Sequence, residues 1–501
     1  MRSVQHNTAS RLVAHRDARG AQLALVDEDR RLDYRGLDDR IARCAALLAA
    51  NGIERGERVA LVLGNRTAYL ETVLAAARLG AIATPLNARL TAPELHALLA
   101  DATPRVLIHE AGDTTRIDAA CRDLANPPAV RIACSGSASG YERGLAGAAP
   151  RHAIEPVSPD DPMLLMYTSG TTGTPKGALL PHRKTLYNSL NAEVFFSLTE
   201  KDRVLVSLPL FHSFGLKILS VPTLFVGATA LVVDRFDPIG LQACVARERA
   251  TLLGAVPVMY QRMLEAGLEP ERLASLRFAF SAGAALGVDT IERYARAGLR
   301  IQQGYGQTET SILCCLDARD ALRKAGSVGK PVRFGEVRIA DERGRDVPRG
   351  VRGEVVVRGP IVMSGYWRRP EETEQSRIHG WHRTGDLGVM DEDGDVSLVG
   401  RLKELYISGG ENVYPAEVER VLGQHPAVSE VAVVGVPDAK WGEAGRAYIV
   451  PADRDFDATA LLVWASERLA RYKLPRDVVV VAELPRTASG KVQKHALLAR
   501  T

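Results

Sequence analysis

Between residues 20 and 330, short apolar runs alternate with longer amphipathic stretches. The amphipathic stretches include helices predicted at 67–79, 238–249 and 288–297. Strands that alternate with helices are typical of parallel sheets covered by helices on both faces. The pattern therefore predicts an α/β fold with doubly wound parallel sheets. The runs with the length and apolar content of buried strands are 59–63, 105–109, 163–166, 203–209, 228–233, 251–256 and 276–281.

The pattern changes after about residue 330. Short Val-rich runs bounded by glycine predict a small β-barrel-like module with antiparallel strands. After Arg401 the chain can form a compact α+β domain, with a helix predicted from Pro415. We therefore predict an N-terminal domain of residues 1–401 and a C-terminal domain of residues 402–501. The predicted strands are 335–340, 353–358, 395–399, 428–434, 446–450 and 478–481, and a further helix is predicted at 458–469.

The composition is that of a globular protein with at least two domains. The chain has 501 residues, of which 46% are hydrophobic and 25% charged. The formal net charge of +4 gives no reason to expect nucleic acid as a partner, and it leaves peripheral membrane contact open.

The six cysteines form no CxxC pair, so neither a zinc site nor a disulfide framework is indicated. The apolar run at 218–233 is broken by Pro222 and Gly227, which favours a core helix and a strand over a membrane span. We expect a cytoplasmic protein.

The most specific stretch lies at 167–177, where an apolar run is followed by glycines and hydroxyl side chains. These residues are too small and polar to pack as core, and such a loop can turn its backbone N–H groups toward an anion. It is not a Walker loop, because Lys176 is followed by Gly177 rather than by Ser or Thr. We predict a polyphosphate cradle that consists of Thr168, Ser169, Gly170, Thr171, Thr172, Gly173 and Lys176.

Four further motifs follow in the chain. In the motif 304–309, Tyr305 can offer a ring face to a purine, and Glu309 can offer a hard oxygen to Mg²⁺. Asp386, in a Thr-Gly-Asp sequence, can accept hydrogen bonds from ribose hydroxyls or cap a turn. Taken singly, each motif is also compatible with an ordinary turn or a surface residue. The last two motifs are 400–404 with 408–415, and 485–491.

All five motifs occur in one order between residues 167 and 491, and together they resemble the core motifs of the adenylate-forming superfamily. This superfamily includes acyl-CoA synthetases, luciferases and peptide-synthetase adenylation domains. The Gly-Gly-Glu-Asn-Val-Tyr-Pro string at 409–415 makes the chain most similar to fatty-acid and aryl-acid CoA ligases. The resemblance covers essentially the whole chain. It implies an enzyme that joins a small carboxylic acid to CoA through an acyl-adenylate, with ATP, Mg²⁺ and CoA as cofactors.

The resemblance also implies a role for each residue of the ATP site. The loop at 168–177 would hold the ATP phosphates, and Tyr305 would pack on adenine. Thr308 and Glu309 would bind phosphate and Mg²⁺. The backbone at Gly283 and Ala284 would lie beside adenine, and Asp386 and Arg401 would bind ribose.

In this superfamily the reaction has two steps: the acyl-adenylate is formed (adenylation), and a thiol then takes the acyl group. The C-terminal domain rotates between these steps. Lys403 matches the hinge position, and Lys491 would contact the substrate carboxylate and the α-phosphate during adenylation only. After the rotation, the residues that would approach the thiol are Gly409, Gly410 and Glu411. Trp441 would line the thiol side or pack in the core.

The acid is expected to be a hydrophobic monocarboxylate, with a fatty acid favoured. His212 matches the position of a gate beside the carboxylate, and the segment 211–215 has no Asp that could pair with an amino-acid ammonium group. Malonate-activating relatives carry an Arg at the position of Gly304, which has no side chain to bind a second carboxylate. The expected acyl pocket is small or apolar and consists of Phe214, Gly215, Ala255, Val256, Ala282, Ala284, Gly304 and Ile312.

Several alternatives stay open. The enzyme could be an aryl- or cinnamate-type CoA ligase, or a fatty-acyl-AMP ligase that loads a carrier protein. A luciferase-like oxygenase is less favoured, because the last residues do not match a peroxisomal tripeptide. A module that binds ATP without chemistry is disfavoured, because Lys491, Glu309 and Asp386 are all present.

Overall fold

The computed structural model describes residues 2–136, 138–168, 175–317, 319–408, 411–438, 441–453, 455–487 and 490–498. The chain divides into two compact units. The first consists of Met1–Glu336 and Val357–His382, and the second of Val337–Val356 and Arg383–Thr501. The domain boundary predicted after Arg401 lies beside the predicted hinge residue Lys403, and both stay predictions.

The strands as far as residue 331 are β1 (Leu23–Val26), β2 (Arg31–Asp33), β3 (Arg58–Val62), β4 (Ile82–Pro85), β5 (Val106–Glu110), β6 (Val130–Cys134), β7 (Pro162–Thr168), β8 (Lys176–Pro181), β9 (Arg203–Val206), β10 (Thr229–Val232), β11 (Leu252–Ala255), β12 (Phe278–Ser281), β13 (Ile301–Gln307), β14 (Ser311–Cys315) and β15 (Lys330–Pro331). The later strands are β16 (Glu336–Ala340), β17 (Gly353–Arg358), β18 (Gly365–Tyr366), β19 (Arg377–Ile378), β20 (Trp381–Met390), β21 (Val396–Arg401), β22 (Tyr406–Ser408), β23 (Glu411–Val413), β24 (Val428–Asp438), β25 (Gly442–Pro451) and β26 (Asp477–Val480).

The α-helices are α1 (Ser10–Arg19), α2 (Tyr34–Ala50), α3 (Thr67–Arg78), α4 (Ala92–Ala102), α5 (Thr114–Cys121), α6 (Gly140–Gly147), α7 (His182–Phe196), α8 (Val221–Val226), α9 (Pro238–Glu248), α10 (Pro257–Glu265), α11 (Pro270–Leu273), α12 (Val288–Arg296), α13 (Pro370–Gln375), α14 (Pro415–Leu422), α15 (Ala458–Ser466) and α16 (Lys494–Leu498). A π-helix at Phe214–Ser220 precedes α8. Among the described residues, no helix combines the length and the apolar character that a membrane span requires.

Two large sheets in the first unit confirm the predicted α/β fold. One has the strand order β18-β8-β7-β4-β3-β5-β6, and the other has the order β15-β14-β13-β12-β11-β9-β10-β1-β2. The strands pair in parallel from β7 to β6 and from β13 to β1, and the antiparallel pairs lie toward the sheet edges. The central strands β3, β9 and β11 are buried almost throughout, because helices cover both faces of a parallel sheet.

The predicted small β module is a five-stranded sheet with the order β16-β17-β20-β19, in which β21 also pairs with β20. The predicted C-terminal α+β domain contains a sheet of order β23-β22-β25-β24, with β26 parallel to β25. Its core packs α14 and α15 on this sheet through residues such as Tyr406, Val418 and Leu461.

Candidate functional site

The predicted phosphate loop connects two antiparallel strands. β7 ends at Thr168 and β8 begins at Lys176, and these two residues are partners across the pair. Thr168 Oγ1 lies 3.4 Å from the Lys176 carbonyl oxygen. Lys176 was predicted as a loop residue, whereas the structure places it at the start of a strand. The predicted loop residues Ser169, Gly170, Thr171, Thr172 and Gly173 lie outside the described residues.

The Glu309 carboxylate lies at the base of this loop. Thr168 Oγ1 and Tyr366 Oη both donate hydrogen bonds to Glu309 Oε1, each over 3.2 Å. The Lys176 ammonium group lies 5.5 Å from the centroid of the Tyr366 ring. Glu309 is buried, and burial together with this carboxylate raises the pKa of the Tyr366 hydroxyl far above its ordinary value. The structure thus brings together a carboxylate, two hydroxyl groups and a lysine.

Sequence reasoning missed Tyr366. It lies in β18, which pairs with β8 beside the phosphate loop, and it is 57 residues away from Glu309 in the chain. No motif or spacing links the two positions. The aromatic pair Tyr366-Trp367 after Gly365 was the available signal, but such a pair is also common where aromatic rings pack at a sheet edge.

A sharp turn between β13 and β14 carries Thr308 and Glu309. The Gln307 backbone N–H donates to Thr310 Oγ1 over 3.1 Å, and Ser311 has a φ of +63°. A Cβ atom at Gly306 would lie 1.9 Å from the Ser311 carbonyl oxygen, so only glycine fits there. The glycine at position 306 therefore lets the two strands approach closely directly before the turn.

The predicted adenine site lies at the carboxyl ends of two neighbouring parallel strands. β12 ends at Ser281 and is followed by Gly283, which has a φ of +93°, and by exposed Ala284. The next strand, β13, carries Tyr305, a residue that is 7% exposed. Ligands of open α/β sheets bind at this end of the strands. The adenine contact of Tyr305 stays a prediction.

Most of the predicted acyl pocket residues lie on or shortly after strands β11 to β14 of the same sheet, and Phe214 and Gly215 lie in the π-helix. All are buried except Ala284, which is exposed. A Cβ at Gly304 would lie 2.5 Å from Phe280 Cζ, so this glycine makes room for an aromatic ring. The Phe214 and Phe280 rings pack edge to face with centroids 5.6 Å apart. The buried members of the set are Phe214, Gly215, Ala255, Val256, Ala282, Gly304 and Ile312.

His212 is half-buried and lies two residues before the π-helix. The Phe214 backbone N–H donates to His212 Nδ1 over 3.2 Å, so that Nδ1 is the unprotonated ring nitrogen. The proton of a neutral ring then lies on Nε2. This arrangement fixes the orientation of the imidazole and is compatible with the predicted gate role, which stays a prediction.

In the second unit, the predicted ribose residues form an ion pair. Asp386 on β20 and Arg401 on β21 are strand partners, and Arg401 Nε lies 2.8 Å from Asp386 Oδ1. Asp386 is 4% exposed, and its backbone N–H donates to Thr384 Oγ1 over 3.1 Å. Antiparallel pairing therefore brings together two residues that lie 15 positions apart in the sequence.

The remaining predicted residues also belong to the second unit. Lys403 is exposed in a single 3₁₀ turn at Leu402–Glu404. Lys491 is half-buried, and its backbone N–H donates to Thr487 Oγ1 over 3.1 Å. Trp441 is half-buried, and Glu411 is exposed on β23. Gly409 and Gly410 lie outside the described residues.

Two profiles of known protein families match most of the chain. The profile of the family described as AMP-binding enzyme matches residues 13–367, and the profile of the AMP-binding enzyme C-terminal domain matches residues 417–491. The chain belongs to the AMP-binding enzyme family and thus to the adenylate-forming superfamily that its motifs predicted.

Three relatives illustrate the range of this similarity. The feruloyl-CoA synthase of Amycolatopsis sp is 43% identical, with 92% of each chain covered. The long-chain-fatty-acid–CoA ligase of Mycobacterium tuberculosis is 37% identical, with 94% of this chain and 93% of the relative covered. The crystal structure of ATP-bound MatB from Rhodopseudomonas palustris is 34% identical, with a TM-score of 0.93 and with 99% and 98% of the two chains covered. The chain is an acyl- or aryl-CoA ligase, an AMP-forming acid–thiol ligase.

Proposed function

We propose that this enzyme activates a hydrophobic monocarboxylic acid and that the residues of the five motifs carry the reaction. The observation that supports this most directly is the contact of Glu309 with Thr168 and Tyr366 at the base of the phosphate loop. Two motifs far apart in the sequence meet at one carboxylate there. Thr168, Lys176 and the loop between them would hold the ATP phosphates.

The chemistry of Glu309 fits Mg²⁺, which prefers hard carboxylate oxygens together with phosphate oxygens of the substrate. The buried carboxylate at the base of the loop would hold the ion. When bound, Mg²⁺ would neutralise negative charge on the phosphates. The hydroxyl groups of Thr168 and Tyr366 would orient the carboxylate by the hydrogen bonds that they donate to Oε1.

In the first step, a carboxylate oxygen of the acid attacks the α-phosphorus of ATP. The bond from this phosphorus to the bridging oxygen breaks, and pyrophosphate leaves. Lys491 would stabilise the charge on the α-phosphoryl oxygens, and Lys176 would do so at the leaving phosphates. In the second step, the thiol sulfur of CoA attacks the acyl carbon and loses its proton, and AMP leaves. Lys403 would be the hinge for the change between the steps, and Glu411 and Trp441 would serve the thiol side.

The hydrocarbon part of the acid would pack against the buried apolar residues of the predicted pocket, which lie between His212 and Ile312 in the sequence. No charged side chain belongs to this predicted set, so a second carboxylate or an ammonium group would be buried without a partner, which is strongly unfavourable. Each CH₂ group buried there would contribute about 0.8 kcal/mol. A fatty acid, favoured from the sequence, remains the first candidate.

An aryl acid is the second candidate. The 43% identity to a feruloyl-CoA synthase supports it, because that value exceeds the 37% identity to the fatty-acid ligase. The edge-to-face pair of Phe214 and Phe280 supports it as well, because aromatic rings pack favourably on one another at such angles.

A panel of acids tests this proposal. Pyrophosphate release would be measured for fatty acids of graded length, cinnamic and phenylacetic acids, malonate and an amino acid, with and without CoA. We expect turnover with hydrophobic monocarboxylates only and CoA thioesters by mass spectrometry. The ratio of kcat/KM values for fatty and aryl acids decides between the two candidates. Adenylation without thioester formation would instead indicate transfer to a carrier protein. Turnover restricted to malonate or amino acids would overturn the proposal.

A further inference from the structure

Lys184, on helix α7, is a lysine with no exposed surface. Its Nζ donates hydrogen bonds to Ser311 Oγ and, over 2.7 Å, to the Ile361 carbonyl oxygen. Burial lowers the pKa of this amine well below its ordinary value, the neighbouring Lys217 acts in the same direction, and Glu309 opposes them. A buried amine is unfavourable unless its hydrogen-bond partners are fixed. The two bonds therefore indicate a defined local function for Lys184.

Its first partner, Ser311, has an unusual backbone conformation. The φ of +63° places Ser311 in the left-handed region, which residues other than glycine rarely adopt. Ser311 follows Glu309 by two positions, and its carbonyl oxygen faces Gly306 at a distance that excludes any side chain. The shape of the turn that carries Glu309 thus depends on keeping Ser311 in this conformation.

The second partner of Lys184, Ile361, belongs to a segment that is also hydrogen-bonded to Glu309. The Met363 backbone N–H donates to the Glu309 carbonyl oxygen over 2.7 Å, and Ile361, two residues earlier, accepts the hydrogen bond from Lys184. Segment 361–363 is therefore tied directly to Glu309 and, through the lysine, to Ser311. The next strand, β18, supplies Tyr366 to the Glu309 carboxylate.

We infer that Lys184 is a positioning residue for Glu309. By joining Ser311 to Ile361, its ammonium or amine group holds the turn in the conformation that directs the Glu309 carboxylate toward Thr168 and the phosphate loop. This inference rests on the proposed role of Glu309 in Mg²⁺ and phosphate binding. Because Lys184 has no exposed surface, it would act through Glu309 rather than on substrate or metal directly.

The test uses two variants of this contact and one control. Lys184→Met removes both hydrogen bonds while keeping a side chain of similar length, and Ser311→Ala removes only one. Ser189→Ala, also on α7, removes a buried hydroxyl that bonds within the helix to the Thr185 carbonyl oxygen over 2.9 Å. For each purified protein, thermal unfolding would be measured together with KM for the acid, KM for MgATP, and the Mg²⁺ concentration for half-maximal pyrophosphate release.

Both contact variants should raise the Mg²⁺ requirement and lower kcat by about tenfold or more, because small misplacements of reacting groups have large effects on rate. KM for the acid should change little, and Ser189→Ala should behave like the wild type. Adding Ser311→Gly to Lys184→Met should restore much of the rate, because glycine adopts the left-handed conformation without help.

The inference is wrong if a folded Lys184→Met protein keeps the wild-type Mg²⁺ requirement, or if it loses affinity for acid and MgATP equally. If Lys184→Met does not fold, the Ser311→Ala protein decides by the same criteria. Wild-type protein that releases no pyrophosphate with any acid would overturn the proposed function. Active wild-type protein with unaffected variants would overturn only this inference.

Discussion

The Thr168 hydroxyl donates a hydrogen bond to the Glu309 carboxylate over 3.2 Å, across 141 positions of the chain. Thr168 ends β7 in the seven-stranded sheet, and Glu309 lies in a turn at the edge of the nine-stranded sheet. The contact therefore joins the two sheets of the first unit at the place where the polyphosphate is expected. In the proposed function, this carboxylate would bind Mg²⁺ beside the ATP phosphates.

Glu309→Gln should lower the rate of pyrophosphate release by about 10²- to 10³-fold, the range found when one strong electrostatic contact is removed from an active site. The amide keeps the size and the hydrogen bonds of the side chain but loses the charge that is proposed to bind Mg²⁺. The Mg²⁺ concentration for half-maximal rate should rise as well. The matched control is Glu336→Gln, because Glu336 is exposed and pairs with Arg358 over 2.6 Å. An unchanged Mg²⁺ dependence in Glu309→Gln would refute the metal role.

Lys491→Ala should nearly abolish adenylation, by about 10²-fold or more, because the charge on the α-phosphoryl group would lose its partner. Thioester formation from a supplied acyl-adenylate and CoA should retain much of its rate, since the lysine is proposed to act in the first step only. Rapid-quench assays of the two half-reactions measure this separately. Lys201→Ala, at an exposed position in the first unit, is the control. Equal losses in both half-reactions would contradict the division of roles.

Gly306→Ala should destabilise the first unit by about 1–3 kcal/mol, as overpacking of a tight site does. The added Cβ would lie 1.9 Å from the Ser311 carbonyl oxygen, so β13 and β14 must separate and the turn with Glu309 must move. Activity should fall more than stability alone explains. Gly287→Ala is the matched control, because its nearest neighbouring atom would lie 3.9 Å away. Chemical unfolding and pyrophosphate assays of both variants check this. Equal effects of the two substitutions would argue against the close approach.

Lys217 should make the stability of the protein depend on pH. Burial lowers the pKa of its amine to about 7, and its Nζ donates to Thr185 Oγ1. Below this pKa both the folded and the unfolded chain carry the charge, and the full penalty of burial applies. Between pH 7 and the ordinary lysine pKa of 10.5, the folded chain binds fewer protons than the unfolded chain, so the free energy of unfolding rises with pH.

Lys217→Met should therefore be more stable than the wild type at pH 6, and its advantage should shrink between pH 7 and 10 by up to about 1.4 kcal/mol per pH unit. Urea unfolding of both proteins at several pH values measures the difference. Lys201→Met, which removes an exposed lysine, is the matched control. A constant difference between Lys217→Met and the wild type at all pH values would show that the amine keeps its ordinary pKa.

Much of the fold could be predicted from the sequence, because the period of the apolar residues reflects the local geometry of strands and helices. The strands at β3, β5, β9, β11 and β12 were each predicted to within two or three residues at their ends. The strand β8 was not predicted, because its first residues, Lys176 and Gly177, belong to a loop motif whose polarity hides the start of the pairing.

The site could be predicted only as far as its motifs extend. Asp386 and Arg401 were each predicted from a motif, and strand pairing explains their contact with one another. Their contact with ribose stays a prediction. Tyr366 and Lys184 were not predicted, because the roles proposed for them depend on contacts across 57 and 127 positions that no local pattern encodes. A lysine is usually a surface residue, and only the structure shows that Lys184 and Lys217 are buried.

The most direct test of the whole account follows labelled oxygen from the acid. The enzyme would be given an acid that contains ¹⁸O in both carboxylate oxygens, together with ATP, Mg²⁺ and CoA, and the products would be analysed by mass spectrometry. Attack of the carboxylate on the α-phosphorus predicts that AMP acquires one labelled oxygen and that the thioester keeps the other. Unlabelled AMP alongside the thioester would contradict an acyl-adenylate, and with it the roles assigned to Glu309 and Lys491.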